Sequence, residues 1–286
     1  MDCHKSFIWR KYEKKIAGRF LWFKLWITEG YSYRELARMK RTSQSTIRRV
    51  VQYWLERPPE FIADYCLIKY VICDGSLLNR RTGIYAIMNS ENHQIINAAY
   101  GVREGAKDLQ RYYQQLKSAG LEPLSATVDG KTQQIKYLQE FWPSIIIQRC
   151  IVHIQRQGLS WCRRNPKRTD AKHLRELLLV LPYVKTKDDS LRFIKGVQAW
   201  EDRFGTGIES SPNRGRVFTD LVRARSMLLK ALPNMFHYLT DPNISRSTNA
   251  VEGYFSRVKE LYRLHRGLSK KNRNAYFQWY FFLKPR

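Results

Sequence analysis

The spacing of apolar positions changes twice along the chain. Between residues 32 and 55, Leu36 and Ala37 form one short apolar group, and Ile47, Val50, Val51 and Trp54 recur at helical spacing. This predicts a short helix from Ser32 or Tyr33 through Met39, a polar turn from Lys40 to Ser43, and a second helix from about Gln44 to Leu55. Two prolines in ERPPEF (residues 56–61) end the pattern and mark a linker. Short β-rich runs then follow at 66–73 (CLIKYVIC), 83–89 (GIYAIMN), 94–102 (QIINAAYGV), 124–129 and 144–149. Ser90, Glu91 and Asn92 make a turn, and helical stretches fall at 106–119 and 132–141. The order β-β-β-α-β-α-β predicts a mixed sheet, a meander followed by βα crossovers. From about 150 to 235 the period is helical, broken by a Gly, Ser, Pro and Asn loop at 205–215 and resumed near 217–231. After DPNISRST comes one more helix-like run and a basic, aromatic end.

Charge narrows the partners. The 286 residues carry 51 Lys and Arg against 25 Asp and Glu, a net +26, while 43% hydrophobic content is enough to bury a core. Such an excess favours a polyphosphate, since cationic side chains gain from releasing its counterions. An anionic membrane surface fits less well, because the basic residues are spread over several segments. Residues 1–60 carry +8, 61–142 carry +1, 143–242 carry +9 and 243–286 carry +8. The nearly neutral stretch is therefore flanked by basic ones, as the floor of a charged groove would be. Five cysteines (Cys3, Cys66, Cys73, Cys150, Cys162) in no framework spacing indicate a reducing compartment. The charged N-terminus and short apolar runs predict a soluble cytoplasmic protein with no membrane partner, nucleoid-associated when on DNA.

Within the first helix pair, Arg41, Ser43, Gln44, Ser45, Arg48 and Arg49 fall at the turn and on the polar face. A helix-turn-helix places the start of its second helix in the major groove, where Gln and Arg read base edges and Ser binds phosphate. An ordinary helical hairpin with a basic solvated face would share this pattern.

Three acids stand at element ends: Asp74 after the first β run, Asp129 after the fourth, and Glu252 at the start of a late helix. Singly, Asp74-Gly75 and Asp129-Gly130 read as turns. Together, in a basic chain, they suit divalent cations held against a phosphodiester. For Glu252 the competing reading is a capping box with Asn249 three residues earlier. Val251, Phe255, Val258 and Tyr262 predict the buried stripe of that helix, with Glu252, Ser256, Lys259 and Arg263 on the adjacent one. Cys150 and His153 form a C-x-x-H pair after the fifth strand. Zinc would need two further ligands, which Cys3 and His4 do not persuasively supply, so a packed thiol and a hydrogen-bonding histidine fit better.

Asp-Gly after the first and fourth strands, C-x-x-H after the fifth, a helical stretch, then N-x-x-E-G with a basic residue seven positions later resemble the Mutator-related DDE transposases of bacterial insertion sequences. The resemblance covers roughly residues 66–283. It implies an α/β fold: an RNase H-like mixed five-stranded sheet with an all-helical insertion, preceded by an N-terminal helix-turn-helix domain. The implied division is 1–57 for DNA binding, 58–65 as linker, 66–165 and 243–286 as the two parts of the core, and 166–242 as the insertion. It further implies Asp74, Asp129 and Glu252 as a catalytic triad binding two Mg²⁺ or Mn²⁺ ions, with Cys150 and His153 supporting the site. Lys259 matches a position that touches the transposon end, Arg263 lies beside it, and Arg266 to Arg273 resembles a C-terminal basic segment. The expected partners are double-stranded DNA, both transposon ends and target, and a second copy of the chain in a synaptic dimer or larger assembly. A non-catalytic DNA-binding regulator and a structure-selective RNase H-like nuclease are the alternatives.

Overall fold

Five strands pair in the order β3-β2-β1-β4-β5 in the computed structural model, which describes residues 13–60, 64–79, 82–102, 107–210 and 215–285. Cys3 and His4 lie outside the described residues. Strands β1 (Tyr70–Leu77), β2 (Gly83–Asn89) and β3 (Ile95–Tyr100) form an antiparallel meander. Strands β4 (Ser125–Val128) and β5 (Ile146–Arg149) add parallel to the other side of β1. The mixed sheet expected from the periodicity is present.

One boundary differs from expectation in a way that matters. The first strand begins at Tyr70, because residues 65–67 turn into a 3-10 helix whose entry Asp64 caps by accepting from the Cys66 N–H at 3.2 Å. At its other end the strand runs past Asp74, since Gly75, Ser76 and Leu77 still pair with Tyr85, Ile84 and Gly83. Asp74 is thus inside β1, although it lies beyond the three residues that pair with β4.

Alternation of side chains across the sheet gives it two covered faces. Val71, Cys73, Tyr85 and Ile87 pack with α4 (Lys107–Ser118) and α5 (Thr132–Phe141). Ile72, Ile84, Ala86, Met88 and Ile95 pack with α10 (Asn249–Arg263) and α11 (Lys270–Leu283). The second cluster continues into the N-terminal helices α1 (Phe20–Glu29), α2 (Tyr33–Met39) and α3 (Gln44–Leu55) through Phe23, Trp26, Leu36, Ile47 and Val50. Trp279 Nε1 donates to Trp54 O at 2.7 Å, and His265 Nε2 lies 3.0 Å from Trp26 O. The N-terminal helices and the last two helices therefore share one core.

Between β5 and α10 the chain builds a bundle with its own core: α6 (Ile151–Cys162), α7 (Thr169–Val180), α8 (Lys187–Glu209) and α9 (Arg216–Ala231). The loop expected from 205 starts later, because α8 continues to Glu209. Buried Ile208 anchors this last turn, and Arg225 of α9 holds both Glu201 and Glu209. Among the described residues no helix is long and apolar enough to cross a membrane.

Candidate active site at the sheet edge

Backbone register brings the two aspartates together. Tyr70, Val71 and Ile72 lie opposite Ser125, Ala126 and Thr127. Two residues further on stand Asp74, still within β1 on the face of Ile72, and Asp129, directly past the end of β4 and close enough for its charge to act on Asp74. Asp74 is buried, at 5% exposure, and Gly75 N–H donates to its Oδ1 at 2.8 Å. Burial, followed by the negative charge of Asp129, pushes the Asp74 carboxyl up to about 7. Asp129 Oδ1 accepts from Lys131 N–H at 3.1 Å, and its Oδ2 lies 3.3 Å from Lys131 Nζ.

Next along the edge, β5 ends at Arg149 and Cys150 opens α6. Cys150 is fully buried, and His153 stands one helical turn on. Both reach Thr248, a buried residue immediately before α10. Thr248 Oγ1 lies 3.3 Å from His153 Nδ1, 3.5 Å from Cys150 Sγ and 3.3 Å from Glu252 Oε1. The backbone N–H of Thr248 also donates to Cys150 Sγ at 3.3 Å. Burial alone would raise the Cys150 thiol, but hydrogen bonds from His153 and Thr248 outweigh it and hold the thiol below its ordinary value.

Glu252 completes this group from α10. The capping box with Asn249 does not form: Asn249 is already inside the helix, Thr248 takes the cap position, and no side chain caps the helix start. Instead Glu252 Oε1 lies 3.7 Å from His153 Nε2, and Oε2 accepts from Arg156 at 3.4 Å. The Cys150 hydrogen bond, then the charges of Cys150, Glu252 and Asp129, raise His153 against the opposing effect of burial. His153 also lowers the Asp74 carboxyl, so this one ring senses all three acids. The three carboxylates do not converge on one point: among the described residues, no three His, Cys, Asp or Glu side chains gather closely enough to hold one metal ion.

The expected stripe on α10 is buried at Val251, Phe255 and Val258, with Tyr254 buried beside them and Tyr262 half-buried. Lys259 donates to Ser76 Oγ, two residues beyond Asp74 on the same face of β1. Arg263 is exposed one turn further on. Arg41, Ser43, Gln44, Ser45, Arg48 and Arg49 are all exposed, on helices that pack against α11 rather than at the sheet edge. Ser43 has a local duty as the cap of α3, accepting from Thr46 N–H at 3.2 Å.

The model of the transposase Mutator family matches residues 30–198. The chain belongs to that family. A relative, the transposase for insertion sequence element ISRM3 of Rhizobium meliloti (strain 1021), is 28% identical over 139 residues, 46% of this chain and 34% of the relative. The chain therefore spans about a third of that transposase's length. The Mutator match takes in Asp74, Asp129, Cys150 and His153 and stops before α10. The place of Glu252 rests instead on its contacts. Thr248 and Arg156 are the residues that sequence reasoning missed. The partners of Thr248 lie 95 and 98 positions away, and Thr248 itself reads as part of a polar loop.

Proposed function

We propose that this chain is a DDE transposase that binds transposon ends, cuts a DNA strand there and joins the freed 3′-hydroxyl to target DNA. One observation carries the reading: Asp74 in β1 and Asp129 directly after β4 lie at the same end of two neighbouring parallel strands, in a chain of net charge +26. The strand order β3-β2-β1-β4-β5 supports an RNase H-like core, with the α6–α9 bundle as its helical insertion. The α2–turn–α3 pair is the end-reading helix-turn-helix, its polar side turned to solvent. The division at 1–57, 58–65, 66–165, 166–242 and 243–286 is retained as a functional one, although the first and last parts share a core.

The donor set suits Mg²⁺ or Mn²⁺. Asp74 and Asp129 offer oxygen ligands alone, and the burial of Asp74 beside a second carboxylate leaves charge that a divalent cation would neutralise. Two such ions, when bound, supply an activated water or 3′-hydroxyl and stabilise the leaving oxygen. The chain's own part is placement. Strand β1 fixes Asp74 and the end of β4 leads directly into Asp129, while Thr248 and His153 flank Glu252. Lys259 and Arg263 set positive charge along α10 for the DNA backbone. Pairing of two ends calls for a dimer or larger assembly.

The test uses DNA carrying the inverted repeats that flank the coding sequence, incubated with Mg²⁺ or Mn²⁺. The expected products are nicks at the repeat ends and joined strands, lost in Asp129→Ala and Glu252→Ala. Cleavage by Asp129→Ala at the wild-type level would overturn the site. Tight binding to the ends with no metal-dependent cut would favour a regulator, and cutting of branched DNA without joining would favour a nuclease.

A further inference from the structure

A cleft of about 1240 Å³ opens beside Asp129, between α5 and α9. Its floor is Gly130 and Arg149, and its walls carry Lys136, Trp161, Arg223 and Lys230. Arg149 pairs in register with Val128, so its side chain points to the α5 face of the sheet, opposite the face that bears Asp74. The cleft adjoins Asp129 through Gly130, the next residue in the chain.

The floor has the character of a built anion site. Gly130 adopts φ +102°, and any side chain there would collide with the Arg149 guanidinium. That glycine lets the guanidinium lie flat against the backbone, where its Nη2 donates to Asp129 O at 3.3 Å. Arg149 is 7% exposed, and its buried Nε has no hydrogen-bond partner. A buried cation with an unmet donor calls for an acceptor. On the walls, Lys136 of α5 and Lys230 of α9 are exposed, with Glu140 one turn along α5 from Lys136. Arg223 lies 3.5 Å from Asp220 and so contributes less net charge. Trp161 is half-buried and presents an aromatic surface to the cleft. Cations tracking a backbone beside an aromatic ring is the pairing that takes a single nucleic-acid strand.

We propose that this cleft holds a single strand of the DNA being cut, with phosphates on Lys136, Arg149 and Lys230 and a base against Trp161. The inference rests on the DNA-cutting reading above, and adds that the strand next to the cut is separated from its complement. Its test measures fluorescence anisotropy of labelled end DNA, either blunt or with a single-stranded extension past the end, using Asp129→Ala protein so that nothing is cut. The extension should tighten binding about tenfold. Adding Lys136→Glu and Lys230→Glu should remove that gain and leave blunt-end affinity within twofold. Trp161→Ala should lose most of the gain and Trp161→Phe should keep it. In a second measurement, extended DNA should slow maleimide labelling of Lys230→Cys, read by mass spectrometry, and blunt DNA should not.

Equal affinity for the two DNAs, a gain that survives the double charge reversal, or equal labelling of Lys230→Cys would overturn the cleft. A wild-type protein that never cuts yet keeps a Lys136- and Lys230-dependent gain supports the cleft and overturns the enzyme reading. One that cuts and joins normally but binds both DNAs alike does the opposite.

Discussion

Asp74 is held within β1 by its pairing with Ala86 of β2, and Asp129 directly follows the last residue of β4, whereas Glu252 is held by side chains. Its oxygens reach Thr248 Oγ1 at 3.3 Å, His153 Nε2 at 3.7 Å and Arg156 at 3.4 Å. A strand register cannot slip by one residue without sending every side chain to the other face. Hydrogen bonds to a helix-borne carboxylate can be exchanged one at a time while α10 stays in place, anchored by Val251, Tyr254, Phe255 and Val258. The same edge thus combines two acids set by strands with a third whose neighbours are side chains. Under the proposed function, that third acid would exchange His153 and Arg156 for a bound cation.

The largest effect expected from this contrast concerns the fixed pair. Asp129→Asn or Asp74→Asn should lower cleavage by more than the roughly 10–100-fold that losing an outer partner of a metal site costs. Asp74→Asn should at the same time stabilise the fold in metal-free buffer. The carboxyl titrates near 7 in the folded chain, chiefly because it is buried, so between its ordinary range and pH 7 the folded state binds the extra proton. Wild-type stability therefore falls as pH rises through that window, and Asn removes the fall. Unfolding free energies from denaturant titrations at pH 5 and pH 8 in EDTA should differ between the two proteins by an amount that grows with pH, on the order of 2–4 kcal/mol at the upper end. A gap that stays constant with pH would remove burial of this charge as the cause.

Much of this arrangement is legible in the chain and part of it is not. The period-2 runs carry the five strands, and helix α3 falls at Gln44–Leu55 as its spacing predicts. The nearness of Asp74 to Asp129 follows once β1 and β4 are neighbours, since each lies at or beyond the end of a short apolar run. The end of β1 was hidden because Gly75 and Ser76 look like a turn, yet both pair with β2. The α8 extension to Glu209 was hidden because composition favours a loop, while burial of Ile208 and the ion pairs of Arg225 are tertiary. Thr248 carries no local signal at all. Its function comes from Cys150 and His153, which the bundle brings back to it.

Thr248 gives the next test of the contrast. Thr248→Val keeps the shape and removes the hydroxyl that touches Cys150, His153 and Glu252. Cleavage should fall about 10–100-fold, the range for an outer-shell partner, and Thr248→Ser should recover most of it. Recovery by Ser separates the hydroxyl's role from general packing, which the missing methyl would disturb instead. Titration of Cys150 in the unliganded protein, followed by the NMR shift of its Cβ, adds a readout independent of cleavage. Removing the hydroxyl withdraws one of the hydrogen bonds that lower the thiol, so the thiol should titrate higher in Thr248→Val. Equal cleavage and an equal thiol titration in the Val variant would leave Glu252 held by His153 and Arg156 alone.

The smallest effect belongs to Arg156, and its direction is the informative part. Its side chain is 62% exposed, and exposed ion pairs are worth about 0.2–1 kcal/mol, so the melting temperature of Arg156→Ala should barely move. The guanidinium occupies Glu252 Oε2, the atom that would turn toward a cation. Under the proposed function it would therefore compete with a bound cation, while Thr248 and His153 lie on Oε1. Removing a competitor of that strength should lower the Mg²⁺ concentration for half-maximal cleavage by roughly 1.4- to 5-fold. Arg156→Lys, with a charge but no fork, should fall between the two. A half-maximal Mg²⁺ concentration that rises in Arg156→Ala would make Arg156 a positioning residue, and would mean that Glu252 is directed by all three of its neighbours together.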